Sequence, residues 1–144
     1  MNKITMKKVS IFLVLIAMVA VFAQSCKKKD NPGPTIENTE LHKTWKVSNA
    51  LEGTLDVTAQ FTQYRLTLAD DGTTKSYTLV DRTGTSTTGT WALSTDKTSL
   101  TLTPASGTAL VYNNVKFSNT ELKYQGNETG KSGNVSISFT LVPA

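Results

Sequence analysis

The chain has 144 residues, 38% of them hydrophobic, with 15 basic residues against 11 acidic ones and a formal charge of +4. Six of the basic residues precede Asp30, and from Thr39 onward nine basic and nine acidic residues balance; the folded part has no electrostatic footprint for nucleic acid. One cysteine, Cys26, and one histidine, His42, exclude an intrachain disulfide and a zinc-type ligand set drawn from a single chain.

Residues 1–25 read as a secretory signal. Lys3, Lys7 and Lys8 precede an apolar run from Ile11 to Ala23, 13 residues long, which is short of the ~20 needed to cross a bilayer as a helix. The run closes on Ala23-Gln24-Ser25-Cys26, which resembles the lipobox of Gram-negative bacterial lipoproteins. That resemblance implies cleavage before Cys26, acylation of Cys26, and a membrane partner held through N-terminal lipid. It places the protein in the outer membrane, on the periplasmic or the cell-surface face. Cleavage after Ala23, leaving Cys26 as a free thiol, is the alternative. Residues 26–38 then form a tether. Lys27, Lys28 and Lys29 lie near lipid headgroups or are simply solvated. Asp30-Asn31-Pro32-Gly33-Pro34-Thr35 has the composition of an extended spacer.

From Thr39 to Ala144 the sequence alternates short β-like runs with turn signals. Lys43–Ala50 sets Trp45 and Val47 on one face. Thr62–Ala69 follows with Tyr64, Leu66 and Leu68, then the turn Asp70-Asp71-Gly72, then Thr74–Arg82 with Tyr77 and Leu79. Thr87–Leu93 carries Gly89, Trp91 and Leu93, and Thr98–Thr103 carries Leu100 and Leu102. Thr108–Phe117 and Thr120–Gln125 come next, the latter with Leu122 and Tyr124. A polar loop is predicted from Gly126 to Gly133. The last run is the cleanest, with Val135, Ile137, Phe139 and Leu141 alternating with Ser136, Ser138 and Thr140. Period two means one dry face per strand, and tight turns mean antiparallel neighbours. Eight such strands bury their dry faces by closing on themselves. The fold class is therefore all-β, an eight-stranded antiparallel up-and-down barrel forming one monomeric domain over 39–144. A two-sheet β-sandwich is the alternative, disfavoured because every connection but the first is short.

Leu41-His42-Lys43-Thr44-Trp45-Lys46-Val47 resembles the opening strand of bacterial lipocalin-like domains, written Leu-x-Gly-Thr-Trp-x-Leu. Gly89-Thr90-Trp91-Ala92-Leu93 with Ser99-Leu100-Thr101-Leu102-Thr103 resembles their middle strands. Lys43 stands where that pattern has glycine, and the final strand lacks the arginine that packs on the first-strand tryptophan in typical lipocalins. The resemblance implies a lipocalin-like barrel over essentially all of 39–144.

No catalytic motif accompanies these strands, and neither an enzyme activity nor a cofactor is expected. Asp70-Asp71-Gly72 opens like a calcium loop, but no acid follows at the spacing that would complete one, so it reads as a hairpin turn with solvated acids. Two functions remain. One is a binding module for a small apolar or amphipathic ligand, with Trp45, Leu55, Phe61, Tyr64, Tyr77 and Trp91 as candidate ligand-binding residues. The other is a filled barrel whose outside binds a glycan, a target enzyme or another envelope protein. The connection Glu52–Phe61 carries Leu55, Val57 and Phe61, and three apolar residues predict that it packs on the barrel mouth.

Overall fold

The computed structural model describes residues 35–130 and 133–144, all within one compact unit, Pro34–Ala144. The signal segment, Cys26 and the tether up to residue 34 lie outside the described residues. Nine strands follow in order: β1 Thr44–Glu52, β2 Leu55–Asp56, β3 Arg65–Asp70, β4 Lys75–Val80, β5 Ser86–Leu93, β6 Leu100–Pro104, β7 Leu110–Phe117, β8 Leu122–Gly130 and β9 Gly133–Pro143. Short 3-10 helices at Thr39–Leu41 and Thr58–Phe61 precede β1 and β3.

Each strand pairs antiparallel with its neighbour, and β1 pairs with β9, closing the sheet. The barrel is thus built from β1 and β3 to β9, and the two-residue β2 is an addition on the end of β1. Closure is why an isolated alternating strand needs no second sheet: each dry face meets the others across the axis. The interior holds Trp45, Leu66, Leu68, Tyr77, Leu79, Trp91, Leu100, Leu102, Leu122, Tyr124, Ile137, Phe139 and Leu141, among others, and among the described residues no polar or charged residue type is buried. These are the residues that the alternation places on the dry faces.

Three local features depart from that alternation. In β1 the register with β9 shifts between Val47 and Asn49, so an extra residue turns Ala50 inward; Ser48 donates its hydroxyl to Thr140 O at 3.0 Å. In β7 the register with β8 shifts between Asn113 and Lys116. Asn114 takes a left-handed φ of 54° there, a conformation asparagine tolerates. Tyr112 and Val115, three residues apart, consequently both face inward. Third, the loop predicted at 126–133 is strand over 126–130 and at Gly133: β8 and β9 stay in unbroken register from Leu122↔Leu141 to Gly130↔Gly133. The apolar pattern fades before the ladder does, because Gly126 and Glu128 occupy the inward positions while β9 still supplies Val135 and Ile137.

One end of the barrel is closed by the first 3-10 helix. Leu41 is fully buried, and its carbonyl accepts the Trp45 indole N–H at 3.0 Å. Lys43 Nζ lies 5.2 Å from the Trp45 ring centre and donates to Asn119 O at 2.8 Å. The lysine at the pattern's glycine position thus sets a cation on the tryptophan, which the final strand does not. Trp91 repeats the arrangement. Its N–H goes to Ala69 O at 2.9 Å, Lys75 sits 5.2 Å from its ring, and the His42 ring meets it edge-on at 5.9 Å.

The turn at Asp70-Asp71-Gly72 uses its acids internally. Asp70 accepts from Gly72 N at 2.8 Å, and Asp71 accepts from Thr73 N and Thr74 N at 2.8 and 2.7 Å. Asp71 is solvated, as expected. Asp70 is not: its side chain is almost covered and pairs with Lys75 at 3.5 Å.

Candidate functional site

The other end of the barrel carries the first connection and the β8–β9 hairpin. On its far side β1 splays from β3, with which it pairs only through Thr44–Lys46, and the connection fills the gap. Val57 N donates to Ala50 O at 2.9 Å, and Ala50 N donates to Thr58 Oγ1 at 2.9 Å, replacing ladder bonds that β3 no longer supplies. Val57 and Phe61 are buried by this docking. Leu55 is not. It is 63% exposed, because β2 holds it on a two-residue ribbon at the tip of β1. Of the three apolar residues expected to pack on the mouth, two do so. Phe61→Asp should therefore cost more than about 3 kcal/mol, the penalty for forcing a charge into an apolar site. Leu55→Asp should stay within about 0.5 kcal/mol. Urea denaturation of the two variants separates these outcomes.

Phe61 begins an aromatic column. Its ring meets Phe139 at 5.0 Å, Phe139 stacks on Tyr64 at 5.6 Å, and Tyr112 lies against Tyr124 at 4.4 Å. Tyr112 reaches this position because β8 has glycine opposite it. A Cβ on Gly126 would stand 2.8 Å from two atoms of the Tyr112 ring, so no other residue leaves the ring room.

The hydroxyls converge as the rings do. Tyr64 Oη lies 2.7 Å from Tyr124 Oη and 3.4 Å from Tyr112 Oη. Tyr77, the fourth tyrosine of the chain, also points inward, and its buried hydroxyl has no partner among the described residues. Burial pushes the Tyr64, Tyr112 and Tyr124 phenols well above their ordinary range; charge on a neighbouring phenol adds to the rise, while the hydrogen bond with Tyr112 opposes it at Tyr64 and the one with Tyr64 opposes it at Tyr124. Burial alone raises Tyr77.

At the rim above them sits Glu128, two residues beyond Gly126 on the inward face of β8, with its side chain 27% exposed. Burial raises its carboxyl, the Arg82 guanidinium opposes that rise, and Asp81 reinforces it. Arg82 reaches across the mouth from the β4–β5 turn. Its Nε is 3.9 Å from Glu128 Oε2, and its two terminal nitrogens donate to Thr129 O at 2.8 Å and Gln60 Oε1 at 3.4 Å. Beside this strap two inward positions meet water. Thr87 faces inward opposite Leu79, and Leu110 faces inward opposite Leu102. Thr87 is nevertheless exposed, and Leu110 is 40% exposed.

Of the six candidate residues, Phe61, Tyr64 and Tyr77 lie in or beside this cluster. Trp45 and Trp91 are buried in the core with their lysines, and Leu55 stands outside. Tyr112, Tyr124, Glu128 and Arg82 complete the site without having been singled out. Tyr124 was legible as a dry-face residue. Glu128 could have been found by extending the Leu122, Tyr124 stripe by two further steps.

A closed antiparallel barrel with an apolar lining and a few convergent hydroxyls has the construction of a small-molecule binding module. Compared with known families, residues 41–124 match the lipocalin-like domain, and the chain belongs to that family. Lipocalin-like domains are generally binding proteins rather than enzymes. A search of curated proteins finds no match to this chain.

Proposed function

We propose that this protein is a lipid-anchored envelope protein whose barrel binds a small apolar or amphipathic ligand, and that it works as a monomer by binding and not by catalysis. The observation that carries the ligand reading is the convergence of three tyrosine hydroxyls inside an apolar barrel, with a fourth buried hydroxyl, that of Tyr77, left without a partner among the described residues, below a rim where Leu110 is exposed. Ligand sites join an apolar lining to a few polar groups that fix orientation, and a buried hydroxyl left unpaired is costly. Titration with apolar and amphipathic probes, followed by tryptophan and tyrosine fluorescence, should give a saturable change. Leu110→Asp should weaken it while the barrel stays folded, because Leu110 already meets water. No saturable change with any probe would overturn the reading. It would favour a filled barrel acting through its outer surface, where a cleft of about 220 Å³ lined by Asn114, Lys116, Lys123 and Gln125 crosses β7 to β9.

The anchoring half of the proposal rests on Cys26, solitary and placed directly after the apolar run. More than one acyl chain gives stable attachment, at about 0.8 kcal/mol per buried methylene. Cys26→Ser should move the protein from the detergent phase to the aqueous phase, or leave it unprocessed, and abolish labelling with fatty acid. Equal partitioning of both forms would overturn it.

A further inference from the structure

We infer that the barrel mouth selects amphiphiles with an uncharged, hydrogen-bond-accepting head (a hydroxyl, carbonyl or ester) over those with a carboxylate. The inference rests on the reading that the barrel binds an amphiphile, and adds to it the chemistry of the head.

Two independent observations carry it. The first is a count of protons. Tyr64, Tyr112 and Tyr124 bring three O–H donors to two mutual contacts, of 2.7 and 3.4 Å, and each contact consumes one proton. One donor is left over, and the buried Tyr77 hydroxyl adds a second. Tyr77 and the three clustered tyrosines all face the interior, so both surplus donors open onto it. A head group that accepts hydrogen bonds satisfies them. An ammonium, which only donates, does not.

The second observation is the charge at the rim. The Glu128 carboxylate faces inward above the phenols, with Asp81 near enough to add to its negative field. The described titratable groups facing Glu128 are Arg82, Asp81 and the neutral phenols Tyr64, Tyr112 and Tyr124. Arg82 is the one cation among them, and its three donor nitrogens are already directed at Glu128, Thr129 O and Gln60. A carboxylate head would enter beside two carboxylates with a single committed guanidinium, and like charges at such range repel strongly in a partly dry site. A neutral acceptor meets the phenol protons without that repulsion.

The test uses the full chain carrying Cys26→Ser, so that no acyl group competes, with decan-1-ol titrated below its solubility limit and decanoate and decylammonium below their micellar concentrations, by calorimetry. Decanol should bind about tenfold or more tighter than decanoate. Glu128→Gln should close most of that gap by strengthening decanoate binding. Tyr77→Phe, which removes a hydroxyl that bonds to nothing and so leaves the fold intact, should weaken decanol several-fold. Decanoate binding as tightly as decanol to the unaltered site would overturn the inference and leave the binding function standing, as would decylammonium binding tightest. Saturable binding by none of the three would overturn the binding function itself, and the inference with it.

Discussion

Trp91→Ala is expected to cost about 3–5 kcal/mol, the range for emptying a large aromatic site in a core that cannot collapse around it. Trp91 is buried opposite Leu102, and its indole N–H reaches Ala69 O at 2.9 Å. It therefore ties β5 to β3 across the intervening β4. Truncation removes the ring that His42 and Lys75 pack on and strips Ala69 O of its partner, so the packing and hydrogen-bond losses fall on one site. Against a domain stability of about 5–15 kcal/mol, that is a large share. Trp91→Phe keeps most of the ring and gives up the N–H, and should cost about 1–3 kcal/mol. Guanidinium denaturation should show the midpoint falling in the order wild type, Phe, Ala with an unchanged slope. A cost under about 1 kcal/mol for the alanine variant would mean that the ring does not support the interior.

The strands and their faces were legible because one physical rule governs both: a half-buried strand writes its burial into the sequence every second residue. Leu66, Leu68, Tyr77, Leu79, Leu100, Leu102, Ile137, Phe139 and Leu141 all fall where that rule puts them. The rule fails where the ladder gains a residue. Around Asn114 the inward positions Tyr112 and Val115 are three apart, and nothing in the local composition marks the extra residue. It fails again at the end of β8, where Gly126 and Glu128 face inward and the strand reads as a polar loop. Gly126 is dictated by the ring of Tyr112, 14 residues earlier on the neighbouring strand β7. Arg82 and Glu128 meet only because β1 and β9 close the barrel and bring the β4–β5 turn opposite the β8–β9 hairpin. A contact made by closure has no local signature, which is why half of the site was found from alternation and the other half was not.

Alkali should unfold this domain in a single cooperative step, with its tyrosines ionising in that step and not before. All four tyrosines of the chain face the interior, and burial raises each of them, Tyr64, Tyr112 and Tyr124 most strongly. In the unfolded chain the same phenols ionise near the ordinary value of about 10. Below that pH both states hold every phenol proton, and the contribution to stability is constant. Above it the unfolded chain loses protons that the folded barrel keeps, so stability falls as pH rises. Each strongly raised phenol contributes a slope of about 1.4 kcal/mol per pH unit, or about 4 kcal/mol per unit for the three together. Within one or two units above pH 10 that loss matches the whole margin of a small domain. Absorbance at the phenolate band and β-sheet circular dichroism, followed together from neutral pH upward, should stay flat and then change at the same pH. Tyr124→Phe should lower the slope, because it removes one member of the hydroxyl chain that must stay protonated, and so move the step to higher pH or broaden it. Phenolate absorbance growing gradually from about pH 10 while the circular dichroism holds would show that the hydroxyls reach water in the folded state. The barrel interior would then be wet at the tyrosines, and the hydroxyl cluster would lose its protected character.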